Sequence, residues 1–154
     1  MESKLFRRIG FCTDFSENAD QAFVVAVDMA ARFGASLEII HVTVSLTHSP
    51  PVHATYMPVE YDPEFIEEVS RAAMKSIEER YVSRLPVDML HSVSVISGYA
   101  ATEILRIAEE KKLDLLVMGS HGLTGLAHVL FGSTAERVVR KAGCSILTVR
   151  HKKS

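Results

Sequence analysis

A surplus of basic charge is missing from this chain. Its 17 Lys and Arg residues stand against 19 Asp and Glu, a formal net charge of −2. No basic surface is implied, so nucleic acid is not the expected partner. Cysteine is scarce. Cys12 and Cys144 each stand at the edge of an apolar run, with neither metal-ligand spacing nor a disulfide framework; that usage fits a reducing compartment. Long apolar runs are absent too. The basic start, MESKLFRRIGF, leads into no signal-peptide core, and no stretch approaches the roughly 20 apolar residues of a membrane span. A cytoplasmic protein without a membrane partner is expected. There is no internal repeat and no linker. What is present is enough for a core: 154 residues, 47% of them hydrophobic, suit one domain over residues 1–154.

Strand-like and helix-like segments alternate along the chain. Phe6 to Thr13 reads as a first strand. A helix over Ser16 to Phe33 follows, with Ser16 to cap it, Glu17 at its positive end and Gly34 to stop it. Ala22, Val25, Ala26 and Met29 fall on one face of that helix. Ser36 to Val44 is rich in β-branched residues and predicts a second strand. Residues 45–61 hold three prolines and no period, which marks a functional or mobile loop. Asp62-Pro63 then opens a second helix as cap and first residue, with Ile66, Val69, Ala73 and Ile77 at helical spacing. Asp88 to Ser97 alternates as strand three, and Gly98 turns the chain. A helix over Ala100 to Lys112, a strand over Leu115 to Met118, a helix over Ser133 to Ala142 and a last strand over Ser145 to Val149 complete the series. Ser133 and Glu136 have capping-box spacing, and Ala135, Val138, Val139 and Ala142 make that helix's apolar stripe. This order predicts an α/β fold: a single doubly wound, five-stranded, mainly parallel sheet with helices on both faces, flavodoxin- or Rossmann-like.

In such folds ligands bind beyond the carboxyl ends of the strands, where the strand order reverses. The reversal is expected between strand one, ending at Thr13-Asp14, and strand four, ending at Met118-Gly119. The stretch that starts there, GSHGLTGLAHVLFGST, holds four glycines and several hydroxyls in residues 119–134. Gly119 and Gly122 leave backbone amides open to close approach, and successive amides form a nest for anions. Gly132-Ser133-Thr134 opens a helix, whose unpaired N–H groups and positive dipole end attract phosphate. On these residues alone, two readings stand side by side: a polyphosphate site, and glycines that merely turn the chain with Ser133 as a helix cap.

Gly119-x2-Gly122-x9-Gly132-Ser133 resembles the nucleotide-binding signature of the universal stress proteins. The likeness extends along nearly the whole chain. RRIGFCTDFSENAD is similar to their first strand and turn, EIIHVTV to their second strand, ISGYAATEIL to their third strand with its glycine, and DLLVMGSHGLTGLAHVLFGSTAERVVRKAGCSILTV to their C-terminal third. The resemblance is to the ATP-binding branch, in an adenine nucleotide alpha hydrolase-like fold. It implies an ATP site contacted by Cys12, Thr13, Asp14, Val42 and Gly98, by the run Met118, Gly119, Ser120, His121, Gly122, Leu123, Thr124 and Gly125, and by Gly132, Ser133, Thr134 and Ala135. Asp14 would lie beside the ribose and assist a metal, with Mg²⁺ or Mn²⁺ otherwise carried by the phosphates. Val42 would meet adenine through its backbone. Cys12 departs from the proline that many relatives carry there. Relatives usually dimerise through the last strand, so a homodimer through Ser145 to Val149 is expected.

The function implied is a nucleotide-dependent regulatory or stress-response module; the alternative is a slow ATPase of the same fold. Hydrolysis needs charge stabilisation at the γ-phosphate. No lysine or arginine lies between Lys112 and Arg137, and there is no GxxxxGK[ST] loop, so little turnover and no catalytic residue are expected. A phospho-receiver would need an aspartate after strand three, where Ser97-Gly98 stands, and a flavodoxin would need glycine in TDFSEN. Blander readings attach to single residues: Asp14 as a helper of Ser16 in capping, His121 as a solvated loop residue contributing only backbone, His48 and His53 as loop residues rather than metal ligands, Cys12 as an inert buried hydrophobe, and Glu109 to Lys112 as a solvated helix end.

Overall fold

The computed structural model describes residues 5–44, 62–122 and 131–151. The elements run β1 (Arg8–Cys12), α1 (Glu17–Phe33), β2 (Ser36–Val44), α2 (Pro63–Arg80), a short 3-10 turn (Val82–Arg84), β3 (His91–Gly98), α3 (Ala100–Glu110), β4 (Leu115–Gly119), α4 (Ser133–Lys141) and β5 (Ser145–Val149). The strands form one sheet in the order β3-β2-β1-β4-β5, and each of the four pairings is parallel. The order reverses between β1 and β4, as expected from the element series.

Local chemistry sets the helix ends. Ser16 is the N-cap of α1, and its Oγ accepts from the Ala19 amide at 3.2 Å. Gly34 closes the helix in the left-handed conformation, with φ of 58°. Asp62 caps α2 by accepting from the Glu64 amide, and Pro63 occupies the first helical position, where its missing N–H leaves no bond unmade.

Alternation along β1 divides the core in two. Ile9 and Phe11 face α1 and α2, where they meet Ala22, Phe23, Ala26, Ile77 and Tyr81. Cys12 faces the other way, toward α3 and α4, with Ile40, Leu116, Met118, Ile104, Ile107 and Val138. The large apolar side chains among them, such as Ile9, Phe11, Ile77, Leu116 and Val138, contribute about 1.5–3 kcal/mol each relative to exposure, so both helix layers are held by the sheet between them.

Several apolar stripes are narrower than their spacing predicts. On α2, Ala73 and Ile77 are buried while Ile66 and Val69 stay substantially exposed; only the C-terminal half of the helix reaches the core. On α4, Ala135 and Val138 are buried and Val139 is exposed. The supposed solvated end at Glu109 to Lys112 is also more than that. Lys111 Nζ lies 3.0 Å from Glu38 Oε2, and Glu38 is a buried carboxylate on β2 that also accepts from Ser92 and Ser94. Lys111 thus neutralises a charge that burial would otherwise penalise.

Candidate functional site

The site is built from two strand ends that part at the reversal. Beyond β1 the chain turns through Thr13, Asp14 and Phe15 into α1. Every polar group of Thr13 is engaged: its amide donates to the Ile40 carbonyl at 2.9 Å, its carbonyl accepts from His41 Nδ1 at 2.8 Å, and its hydroxyl accepts from the Phe15 amide at 3.0 Å. Asp14 Oδ1 accepts from the Ser16 amide at 3.0 Å. Capping of α1 itself falls to Ser16, and Asp14 steadies the turn ahead of it.

Beyond β4, Gly119 lies hard against the first turn of α1. A Cβ there would come within 2.8 Å of Asn18 Cβ and 3.0 Å of its carbonyl carbon. Glycine is needed at this position for the strand to pass the helix, whatever else it does. Ser120 is buried; its amide donates to the Val149 carbonyl and its carbonyl accepts from the Gly132 amide at 2.8 Å. That last bond draws the start of α4 back to the end of β4. Ser120 Oγ also lies 3.0 Å from His121 Nδ1.

The expected capping box at the head of α4 is not formed. The N-cap is Gly132, whose carbonyl accepts from the Glu136 amide at 2.9 Å and which has no side chain to cap with. Ser133 is the first helical residue. Its hydroxyl is therefore not accounted for as a cap, and the first turn of α4 keeps its amide donors and the positive end of its dipole.

These elements enclose a cleft of about 310 Å³. Of the expected residues, Cys12, Thr13, Asp14, Val42, Met118, Gly119, His121, Gly122, Gly132, Ser133, Thr134 and Ala135 line it. Ser120 and Gly98 are not brought to its lining: Ser120 is buried, and Gly98 ends β3 opposite Val44 of β2. Leu123, Thr124 and Gly125 lie outside the described residues, as do His48 and His53. The structure adds Ala19, Ile40, Ala100 and Ile104. Ile40 was legible in principle, since it stands two residues before Val42 and so on the same side of β2.

The lining has two chemical characters. Ile40, Val42, Met118 and Ile104 are apolar and belong together in one cluster, and the first turn of α4 with Gly122 supplies backbone amides. Asp14 joins them: a Cβ placed on Gly122 would lie 2.5 Å from Asp14 Oδ2, so that carboxylate sits directly against the glycine backbone. Among the described lining residues there is no lysine or arginine, and the described residues hold no group of three or more His, Cys, Asp or Glu placed to bind a metal. Burial pushes the Cys12 thiol up to about 12, with a smaller contribution from Cys144. It stays protonated, as an apolar wall residue rather than a nucleophile.

A larger hollow of about 480 Å³ lies elsewhere, between the C-terminal ends of α3 and α4, lined by residues such as Arg106, Lys112, Lys141 and Cys144. Size alone does not decide between the two. The larger hollow gathers the negative ends of two helix dipoles and lies away from the strand reversal, whereas the smaller one has the glycine backbone and a helix start.

Residues 5–150 match the universal stress protein family. The chain is 34% identical to universal stress protein MJ0531 of Methanocaldococcus jannaschii, over 97% of this chain and 85% of that one. Among solved structures it is similar to hypothetical protein MJ0577, of the same organism, with a TM-score of 0.74, 25% identity and coverage of 97% of this chain and 99% of that one. It also shares its fold with a universal stress protein in complex with cAMP, with a TM-score of 0.62, 23% identity and coverage of 94% and 96%.

Proposed function

Because this chain belongs to the universal stress protein family, we propose that it is an adenine-nucleotide-binding member, with ATP as its ligand. One observation carries the reading: the lining of one cleft combines the glycine-capped first turn of α4 with the apolar side chains of Ile40, Val42, Ile104 and Met118. A purine needs the second feature and a phosphate tail the first. The structurally similar protein in complex with cAMP holds an adenine nucleotide; at 23% identity that likeness speaks for the fold, so the ligand reading rests on this chain's own cleft.

In this assignment adenine lies against Ile40, Val42 and Met118. Asp14 serves the ribose, and the backbone from Gly119 to Gly122 with Ser133, Thr134 and Ala135 takes the phosphates. A lone carboxylate is what a phosphate-borne Mg²⁺ or Mn²⁺ requires from a protein, so Asp14 fits a shared metal. The cleft binds rather than hydrolyses, because no described lining residue supplies a fixed cation for the γ-phosphate. The nucleotide then acts as a regulatory ligand in a cytoplasmic stress-response module. β5 is an edge strand, next to β4 alone in the sheet, and an unpaired edge accepts a second copy; the proposed assembly is a homodimer through that strand.

Isothermal titration with ATP and Mg²⁺ tests the reading. Saturable binding with a rise in Tm is expected. No heat and no thermal shift at millimolar nucleotide would refute it.

A further inference from the structure

The turn that carries Asp14 is strained, and the strain has an identifiable hold. Phe15, the next residue, has φ of 64°. A bulky side chain rarely occupies this left-handed region, and it persists there only where its surroundings over-determine it. Those surroundings come largely from the end of α2. The Phe15 ring stacks on Tyr81, with ring centres 6.2 Å apart and planes 6° apart. The His41 ring lies 4.5 Å away and the Arg80 guanidinium 5.5 Å from the Phe15 centroid.

Hydrogen bonds tie the same residues, and their directions are fixed by chemistry. Tyr81 Oη lies 2.8 Å from Asp20 Oδ1 and 2.8 Å from Thr13 Oγ1. An ionised carboxylate only accepts, so the tyrosine proton goes to Asp20. The Thr13 proton then goes to Tyr81 Oη, and Thr13 Oγ1 accepts the Phe15 amide. Asp20 is held in turn by Arg80 Nη2, at 3.0 and 2.7 Å from its two oxygens. The chain therefore runs from Phe15 N–H through Thr13 and Tyr81 to Asp20 without a break. Tyr81 is its middle link and is fully buried.

Resting on the nucleotide reading above, we propose that Tyr81 is a positioning residue of the cleft: its hydroxyl, strung between Thr13 and Asp20, holds the β1–α1 turn in the conformation that presents the Asp14 carboxylate to the ligand. Tyr81 is not among the residues lining the cleft. It acts through Thr13 and Phe15, the two neighbours of Asp14 in the chain. The residue that closes α2 thereby becomes part of the binding apparatus.

Tyr81→Phe tests this, because it removes the hydroxyl and leaves the ring stack. Ile77→Val is the control: Ile77, in the last turn of α2 just ahead of Tyr81, is equally buried but its side chain has no place in the hydrogen-bond chain. Two readouts are taken. In ligand-free protein, amide exchange followed by NMR is expected to quicken at least about tenfold at Phe15 and Ser16 in Tyr81→Phe, and to stay within about twofold of wild type in Ile77→Val. In titration with ATP and Mg²⁺, Tyr81→Phe is expected to weaken binding about five- to tenfold, the size of one lost hydrogen bond, with Ile77→Val within about twofold. Unchanged exchange at Phe15 and Ser16, unchanged affinity in Tyr81→Phe, or an equal loss in Ile77→Val overturns the proposal. If wild type takes up no nucleotide while those amides loosen in Tyr81→Phe, the hold of Tyr81 on the turn stands and the nucleotide reading falls.

Discussion

Gly122→Ala tests the cleft at its tightest point. The added Cβ would lie 2.5 Å from Asp14 Oδ2, and real Cβ contacts essentially never fall below 3.0 Å. The difference obliges the carboxylate or the glycine backbone to move by about 0.5 Å or more. Asp14 has little freedom to yield, because its other oxygen accepts from the Ser16 amide. Losing an ionic hydrogen bond to a ligand costs about 1.5–3 kcal/mol, or roughly 10- to 150-fold in affinity. Gly132→Ala is the matched contrast: its Cβ would find its nearest neighbours at 3.6 Å, an ordinary contact, and its backbone is extended at φ −68° and ψ 158°. Calorimetric titration with ATP and Mg²⁺, beside a thermal melt, is therefore expected to give a loss of at least about tenfold for Gly122→Ala and less than about threefold for Gly132→Ala, with both proteins folded. Equal affinities for Gly122→Ala and wild type, or an equal loss in both variants, would refute the claim that Gly122 makes room for Asp14.

Two further outcomes follow from groups already placed. Burial raises the Tyr81 hydroxyl from 10.0 to about 12 and the Cys12 thiol from 9.0 to about 12; since both folded values exceed the unfolded ones, their stabilising share is whole below pH 9 and is lost as pH climbs toward 12. Urea melts from pH 8 to 12 should show that decline, and Tyr81→Phe should flatten the part above pH 10. Ser16→Ala removes a formed helix cap and should cost about 1 kcal/mol of stability, whereas Ser133→Ala removes no cap and should leave the melt unchanged while weakening nucleotide binding severalfold; a stability loss at Ser133 equal to that at Ser16 would restore the capping box.

Much of the fold was legible because its signals are local. Ser16, Gly34, Asp62 and Pro63 act within three or four residues of themselves, and the structure uses each as its chemistry suggests. The strand order followed from the alternation of elements, which leaves few topologies open. The head of α4 departs from its sequence pattern because Gly132 and Ser133 are both acceptable N-caps and the Ser-x-x-Glu spacing favours the second. A tertiary bond decided it: the Gly132 amide is tied to Ser120, twelve residues away, and the helix starts from there. The buried stripes of α2 and α4 are shorter than their spacing predicts because periodicity marks a face without saying how far the sheet reaches beneath it. Tyr81 was invisible for a different reason. It is 68 residues from Thr13, and a tyrosine after a helix carries no mark of the turn it holds.

Asp14 poses the sharpest electrostatic question in the cleft. A carboxylate next to amides meant for phosphate looks self-defeating, since two like charges about 4 Å apart repel by about 4 kcal/mol at an effective dielectric constant of 20. No described lysine or arginine lines the cleft to offset that repulsion. With a nucleotide bound as proposed, a positive or proton-donating group between carboxylate and phosphate would relieve that repulsion. A ribose hydroxyl donates to the carboxylate, and a divalent cation carried by the phosphates bridges to it; either turns the Asp14 charge from a penalty into a selector. Inorganic phosphate alone brings neither, so on the proposed reading it is expected to bind more weakly than a nucleotide with its metal. On the proposed reading, the same lack of fixed cations among the described lining residues predicts slow hydrolysis, since charge developing on a departing γ-phosphate would meet no counter-charge from them.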